Sequence, residues 1–518
     1  MFSKKGATSI FLVGIITLIL LVVSTSAQGP DGSGWWTSPN VQNASSSNAS
    51  VVVSAYWNTD SSSTDSFIGS VTLGPNASFI FHPGLSSNCE TSGIATNGCR
   101  IGLTPDLPAG FSGSIVVSSD QPAVSFVSLK NNPSGSVGVT GGTARASYEG
   151  VNGNAVANTL YFPSFKNDFG GQSTIFYVQA AGSDATVRVT YTTQENPPQT
   201  YTQDKTILAN RSYAFMPSTA GVPSCNGSTG NNCRGGAKLE VLSGGSVAGT
   251  VVEYEVGASV AEFVLASAAI TPANTDTKIL VPSAKDNWNG QTTGIAVLNT
   301  TNTDAVADLT FIVKGVTGCS SVSVGDMETT QLTVPANGSA VVRTTAGNTP
   351  FPSNCQVFYS VTIEDQGADQ NLAATVNQSE NKNGQALKTK YNGFAATPAT
   401  STVLFPLVKE TFSNGITGVS LVNAGSVPTS VTVTYSGAAD HVLRTVNISP
   451  GQSITLRNVA GGDPDIANVI SGGLPSSGAK YAVTAVADVA GAKIVGIAQE
   501  ATATGTLLDI QNYGGTNQ

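Results

Sequence analysis

Tyr161–Gln179 reads YFPSFKNDFGGQSTIFYVQ, and the chain repeats this pattern twice further on. Ile279–Leu298 reads ILVPSAKDNWNGQTTGIAVL, and Leu404–Val422 reads LFPLVKETFSNGITGVSLV. The prolines of successive copies are 119 and 124 positions apart, and a degraded copy lies at Gly34–Asn43. A period of that length is one whole domain, so the sequence predicts a tandem array.

The repeat predicts an all-β protein, a tandem array of four Ig-like β-sandwich modules behind an N-terminal signal peptide. Each module offers about six to eight short strands with Gly, Pro and Asn turns, and no helical period is visible. Short junctions between modules predict a fairly stiff rod. The predicted segments are 1–27 for the signal peptide and 28–150, 151–270, 271–397 and 398–518 for modules one to four.

The N-terminus has the pattern of a secretory leader. Two lysines precede Ile10–Val23, a mostly apolar run of 14 residues, and the small residues Thr25–Ala27 follow. Because a membrane span needs about 20 apolar residues, we expect cleavage before Gln28 and an extracellular or cell-surface protein without a transmembrane segment. A prepilin-like leader cut after Gly6 is the alternative, although Phe11 stands where that family places Glu.

Module one begins differently from the others. The residues before Gly34 read QGPDGSG and offer no apolar counterpart of the opening strand. A sandwich that lacks a strand exposes an unpaired edge, which another chain could fill by strand addition. The alternative is that Val41–Asn43 and its neighbours rearrange to close the gap.

Six cysteines fall in pairs within the modules. Two equivalent loops of modules one and two carry two each, which favours local pairs over cross-module links. The chain has only two histidines, His82 and His441, so a zinc site is disfavoured. The exported context favours structural disulfides. The predicted pairs are Cys89–Cys99, Cys225–Cys233 and Cys319–Cys355.

Three lysines recur after the opening strands, at Lys166, Lys285 and Lys409. An internal Lys–Asn isopeptide bond would need an acid from another strand, and we find none recurring at a matched position. Each lysine has an acidic neighbour in the chain, which favours a solvated loop lysine beside a solvated acid.

Aromatic residues recur in the same loop, at Phe169, Trp288 and Phe412. They are candidate glycan contacts, because aromatic rings stack on sugar rings. The alternative is a hydrophobic plug that closes the end of each sandwich.

Nine Asn-x-Ser/Thr sequences indicate surface loops if the host glycosylates them. Three of them, Asn76, Asn210 and Asn337, occupy one recurrent turn, which Asn favours for backbone reasons alone. The sites are Asn43, Asn48, Asn76, Asn210, Asn226, Asn299, Asn337, Asn377 and Asn447.

Composition limits the function. The net charge of −9 and the lack of a Lys/Arg cluster along the sequence disfavour nucleic-acid binding. The two histidines lie in different modules, and no phosphate-binding Gly loop precedes a helix. We therefore predict a non-enzymatic protein with no catalytic residues, no metal ligands and no cofactor.

The chain as a whole resembles the Ig-like or adhesion-type β-sandwich arrays of bacterial secreted and cell-surface proteins. The resemblance rests on the FPSFK, VPSAK and FPLVK openings, the strand ends at Val41–Asn43 and Leu421–Asn423, and the turn at Pro335–Ser339. It implies a structural or adhesive surface protein, of surface-layer, filament or adhesin type, that contacts copies of itself or cell-surface glycans. The alternative is a secreted carbohydrate-binding or enzyme-accessory protein.

Overall fold

A computed structural model gives the architecture, and it confirms an all-β protein built of sandwiches of mostly antiparallel sheets. In the described ranges the only helices are three single 3-10 turns, at Gly153–Ala155, Pro272–Asn274 and Val459–Gly461, and none could cross a membrane. The structure describes residues 19–23, 35–75, 77–81, 99–108, 110–131, 145–256, 264–343, 349–382, 385–412, 415–437, 439–457, 459–502 and 510–517.

All four modules share one order of eight strands, numbered along each module without the additional edge strands given below. In the first sheet the opening strand lies beside the sixth, followed by the third and the fourth. In the second sheet the fifth, second, seventh and eighth strands lie side by side. Alternating side chains of both sheets meet in between to form a core for each module.

Module one has the sheets β10-β1-β7-β3-β4 and β6-β5-β2-β8-β9, in which β5 and β6 are parallel. The additional strands β6 and β10 extend the sheet edges. The strands are β1 Ile19–Val23, β2 Trp35–Asn43, β3 Ala49–Trp57, β4 Ser66–Leu73, β5 Ser78–Phe81, β6 Cys99–Ile101, β7 Gly113–Ser119, β8 Ala123–Asn131, β9 Arg145–Glu149 and β10 Val151–Asn152.

Module two shows the plan without additions, in the sheets β11-β16-β13-β14 and β15-β12-β17-β18. Its strands are β11 Thr159–Lys166, β12 Gln172–Ala180, β13 Ala185–Thr193, β14 Thr200–Ile207, β15 Ser212–Phe215, β16 Arg234–Gly244, β17 Val247–Glu255 and β18 Val264–Ala268.

Module three adds one short edge strand, in the sheets β22-β21-β24-β19-β27 and β23-β20-β25-β26. Its strands are β19 Lys278–Asp286, β20 Gln291–Asn299, β21 Ala305–Thr317, β22 Met327–Val334, β23 Ser339–Arg343, β24 Gln356–Asp365, β25 Leu372–Lys382, β26 Gln385–Asn392 and β27 Phe394–Ala395.

Module four adds a strand at each edge of its first sheet, giving β33-β31-β30-β34-β28-β37 and β32-β29-β35-β36. Its strands are β28 Thr402–Glu410, β29 Gly415–Asn423, β30 Val431–Ser436, β31 His441–Thr445, β32 Ser453–Leu456, β33 Ile466–Ser471, β34 Ala479–Ala487, β35 Ile494–Thr502, β36 Ile510–Gly514 and β37 Thr516–Asn517.

The recurrent prolines Pro163, Pro282 and Pro406 lie inside the opening strands, where a residue without an N–H would interrupt the ladder. At each of them the register with the sixth strand skips, which is a β-bulge. Bulges are among the few places where a sheet tolerates proline. The repeated motif thus marks the bend of each opening strand.

The expectation that module one lacks an apolar opening strand is wrong for this structure. β1 pairs with β7 from Ile19↔Ser119 to Val23↔Ile115 and holds the place of β11, β19 and β28 in the other modules. The missing strand is therefore present inside the segment that the sequence assigns to a signal peptide. Cleavage of that segment stays a prediction.

The predicted rod is also wrong, because the four modules close into a ring. The eighth strands meet in cyclic order, β9 with β18, β18 with β26, β26 with β36, and β36 with β9. Matched positions bond across two of these contacts. The Gly514 N–H donates to Glu149 Oε1, and Asn392 Nδ2 donates to the Ala268 carbonyl at 2.7 Å.

Apolar side chains on the outer faces of the sheets hold the ring together. Val252 and Val264 of module two join the core cluster of module one, Ile497 of module four joins that of module three, and Phe126 of module one joins that of module four. Each module thus buries surface against its neighbour, so short junctions bend the chain round instead of extending it.

Two of the three predicted disulfides are confirmed. Cys225 and Cys233 are bonded with 5.6 Å between Cα atoms, and Cys319 and Cys355 with 5.1 Å. Cys89 of the third pair lies outside the described residues. Pairing within a module leaves the contacts between modules to packing and polar groups.

Several asparagines of the Asn-x-Ser/Thr sequences have structural roles in the fold. Asn43 and Asn299 are fully buried, and the Asn299 amide donates to the Thr303 carbonyl at 2.6 Å. Asn210 and Asn337 have φ of 61° and 50°, the left-handed conformation that Asn tolerates, as the turn interpretation predicts. Glycosylation of the two buried sites is incompatible with this fold.

Candidate functional site

The recurrent lysines end their opening strands and are held there by the next strand. The backbone N–H of each lysine donates to a threonine hydroxyl eight residues later, at 3.0, 2.8 and 3.0 Å. This bond joins the end of the opening strand to the second sheet. The pairs are Lys166–Thr174, Lys285–Thr293 and Lys409–Thr417.

The interpretation as solvated loop pairs is wrong for Lys166 and Lys409. Lys166 Nζ lies 2.7 Å from Glu253 Oε2, and Lys409 Nζ lies 2.6 Å from Glu500 Oε1. Both glutamates come from the seventh strand at matched positions, so an acid from another strand does recur. It lies 87 and 91 residues away in the chain, beyond the reach of local pattern reading.

Glu253 also binds a lysine of the next module. Lys390 Nζ of module three lies 2.5 Å from Glu253 Oε1, and the two side chains are 1% and 0% exposed. Burial alone would raise the pKa of Glu253, but the charges of Lys166 and Lys390 lower it to about 2. Burial lowers the pKa of Lys390. The buried Lys390 and the half-buried Lys166 thus depend on one carboxylate at the junction of modules two and three.

This triad predicts acid sensitivity. The folded pKa of Glu253 lies below its ordinary value of 4.5, so the unfolded chain binds more protons as the pH falls between them. Stabilisation is complete above about pH 4.5 and is lost towards pH 2, by about 3 kcal/mol in all. We expect urea unfolding curves at stepped pH to show a steeper acid loss for the native chain than for Glu253→Gln. Parallel pH profiles would contradict this assignment.

Beside the triad lies a cleft between modules two and three, with a volume of about 370 Å³. We call it the first cleft. Lys166, Phe169 and Arg234 line the module-two wall, and Arg343 and Lys388 line the module-three wall. Lys166 Nζ also contacts Gln172 Oε1 at 2.7 Å.

A second cleft of about 430 Å³ lies one junction further on, between modules three and four. It uses the same places in the fold. One wall supplies a lysine, an aromatic ring and a glutamine, and the next module supplies a strand glycine and an arginine. The matching residues are Lys166, Phe169, Gln172, Gly294 and Arg343 in the first cleft and Lys285, Trp288, Gln291, Gly418 and Arg457 in the second.

The strand glycines keep the clefts open. A Cβ at Gly294 would meet nothing within 4 Å, and one at Gly418 would make only ordinary van der Waals contacts, with Thr455 Cγ2 at 3.5 Å and the Arg457 side chain at 3.8 Å. The sequence comparison missed both glycines and both arginines, although the signal was present. Modules three and four share a Thr-Gly pair in the second strand and an Arg at the end of the fifth or directly after it, as in SAVVR and SITLR. An isolated strand glycine often marks close approach of a ligand.

The structure brings two of the three candidate aromatics into the clefts. Phe169 is 7% exposed and has the guanidinium groups of Arg234 and Arg343 over its ring, at 4.7 and 5.6 Å. Trp288 is half-buried and 6.0 Å from the Phe358 ring. Phe412 lines neither cleft and lies under Lys480 Nζ at 5.5 Å. A role in glycan contact stays a prediction for all three.

No family model matches the chain, and no curated protein has significant sequence similarity to it.

Proposed function

We propose that the chain is a non-catalytic extracellular adhesive protein that binds glycans of cell surfaces in its two clefts. The observation that carries the proposal is the duplication of one cleft, built at two successive junctions from the same strand positions. A junction that only joins two modules would not need the same open glycine and the same arginine in both places. The two disulfides are compatible with an extracellular protein.

The size and chemistry of the clefts suit sugar rings. Ligand sites commonly have volumes of about 300–1,000 Å³ and combine apolar walls with a few placed polar groups. The second cleft offers the Trp288 face together with the Gln291 amide, the Thr455 hydroxyl and Arg457. An aromatic face with amide and charged donors around it is a general arrangement for a polyhydroxylated ring.

Binding without turnover fits the acids that are present. Glycoside hydrolysis commonly uses two carboxyl groups that flank the scissile bond. In the second cleft Glu500 pairs with Lys409, and Asp465 accepts the Thr455 N–H at 2.7 Å and faces Lys314 at 3.8 Å. Both carboxylates are thus engaged in holding the protein together.

Two cleft variants test the proposal. Trp288→Ala removes the stacking face of the second cleft, and Gly294→Leu places a side chain in the open space of the first without removing a contact. We expect each to weaken glycan binding by about 30-fold, because Trp288→Ala removes an aromatic anchor worth about 2 kcal/mol and the leucine side chain at position 294 occupies the space of the ligand. Titration calorimetry with bacterial surface polysaccharides measures this, and Met327→Ala, which is 68% exposed, is the control.

Three results would contradict the proposal. No binding to any surface polysaccharide, or an affinity in both cleft variants equal to that of the native chain, would exclude the clefts as the site. Rapid hydrolysis of a glycan, abolished by one acidic substitution, would make the protein an enzyme instead.

A further inference from the structure

We propose that the first cleft selects anionic glycans, and that Arg234 and Arg343 grip the carboxylate or sulfate group of one sugar. This inference rests on the proposed function and specifies its ligand class. It goes further than the shared shape of the clefts, because it depends on charges that distinguish one from the other.

Positive charge is concentrated in the first cleft of an otherwise acidic protein. The chain carries a net charge of −9, yet Lys166, Arg234, Arg343 and Lys388 line this cleft. Within the described part of the chain no carboxylate side chain lines it. Glu253 does not line the cleft, and its carboxylate is shared between Lys166 and Lys390.

The two arginines are positioned by contacts that leave N–H donors for a ligand. Both guanidinium groups lie within 6 Å of the Phe169 ring, which fixes them on one aromatic support. Arg234 Nη2 donates to Asn231 Oδ1 at 2.8 Å, but its buried Nε has no hydrogen-bond partner. Burial, and then the positive charge of Arg343, lower the pKa of Arg234. An anion between the two groups would relieve both costs.

The geometry of guanidinium groups favours oxyanions. Each group presents N–H donors in a fixed planar fork that matches a carboxylate or a sulfate. Arg343 is exposed and, among the described residues, its side chain makes no hydrogen bond or ion pair. Its N–H donors can therefore bind a ligand while the guanidinium stays over the Phe169 ring.

The second cleft gives an internal contrast. Lys285, Lys314 and Arg457 line it together with Asp465 and Glu500, so its positive charge is largely balanced. The same architecture thus has a cationic version and a nearly neutral version. We expect the first cleft to take an acidic sugar and the second to take an uncharged one.

A glycan fits this cleft better than a nucleic acid does. A long polyphosphate needs an extended basic track, whereas here the cations are confined to one cavity on a protein of net negative charge. The Phe169 ring is 7% exposed and has guanidinium groups over it, so it offers no open face for a base.

The experiment compares four polymers on the full-length protein. Polygalacturonate carries carboxylates, dextran sulfate carries sulfates, dextran is neutral, and polyuridylate carries phosphates. We expect the anionic glycans to bind at least ten-fold more tightly than dextran, with affinity falling as salt rises. Arg343→Gln and Arg234→Gln should each weaken this binding by about 10- to 100-fold, the range for hydrogen bonds to charged groups.

The controls separate local from general charge effects. Arg188→Gln makes the same charge change at an exposed pair with Asp204 and should alter affinity less than two-fold. Arg343→Lys keeps the charge without the fork and should give an intermediate loss. Because Arg343 is exposed, its variants should have the same melting temperature as the native chain.

The other outcomes of the polymer comparison lead to different conclusions. Dextran bound as tightly as the anionic glycans, with no effect of the arginine variants, would overturn this inference and leave the proposed function standing. Failure of every glycan to bind would remove both. Polyuridylate bound as tightly as polygalacturonate would replace the glycan with a general polyanion. A preference between the carboxylate and sulfate polymers identifies the group that is gripped.

Discussion

Replacing Glu253 with glutamine should lower the free energy of unfolding by about 3–5 kcal/mol at neutral pH, the usual range when one partner of a buried ion pair is removed. The expected result is measured by urea denaturation followed by intrinsic fluorescence. Because the triad joins modules two and three, the transition should also become less cooperative, with module two unfolding at a lower urea concentration.

The physical reason is that water has little access to the two lysines. Lys390 is 1% exposed and Lys166 is 15% exposed, and Glu253 is the one carboxylate that contacts both ammonium groups in the described residues. Without it, each lysine must either stay charged without a counter-charge or lose its proton. Both states are costly in an environment of low polarity.

The chain offers a matched control at Glu500. It holds the same place in module four, but it is 17% exposed and pairs with Lys409, which is 22% exposed. Glu500→Gln should cost about 1 kcal/mol or less, because partly solvated pairs contribute little. Replacing all three triad residues with apolar ones should restore stability. Equal losses for Glu253→Gln and Glu500→Gln would show that burial of the triad has no special role.

Removing residues 1–27 should expose the edge of β7 and make the protein self-associate. Five residue pairs between β1 and β7 would be lost, worth about 3–5 kcal/mol at roughly 1 kcal/mol for each net hydrogen bond. The open edge is a template for a strand from a second copy. Sedimentation velocity should show concentration-dependent oligomers of the shortened chain, with monomers of the full chain.

A strand supplied in trans tests the same point directly. A peptide that carries residues 17–25, made soluble by added terminal lysines, should bind the shortened chain one to one and suppress the oligomers. Hydrogen exchange should then slow at the amides of β7. The amides of β16, which pairs with β11 in module two, serve as the internal reference because that strand is untouched.

Two outcomes would contradict this prediction. One is a shortened chain that stays monomeric at high concentration with β7 as protected as in the full chain. The other is equal suppression of oligomers by a peptide of scrambled sequence. N-terminal mass analysis of the protein purified from its natural source shows which form occurs there, since a chain that begins at Gln28 lacks β1.

Local patterns in the sequence determined the elements of this protein. Residues that alternate with a period of two made the strands readable, and the repeat around Pro163 gave the four sandwiches. The equivalence of two loops predicted the Cys225–Cys233 pair. These features depend on neighbours a few residues away, or on comparison of one copy with the next, so the sequence is sufficient for them.

The tertiary structure alone decided how the modules meet. Glu149 and Gly514 are 365 residues apart and close the ring, and Glu253 finds Lys390 137 residues on. Such partners are determined by how the twisted sheets of different modules stack. A local pattern of the sequence contains no information about that stacking. Lys166 and Lys409 therefore looked solvated in the sequence, whereas the stacking of sheets places each of them against an acid of another strand. The two clefts exist for the same reason, because each wall belongs to a different module.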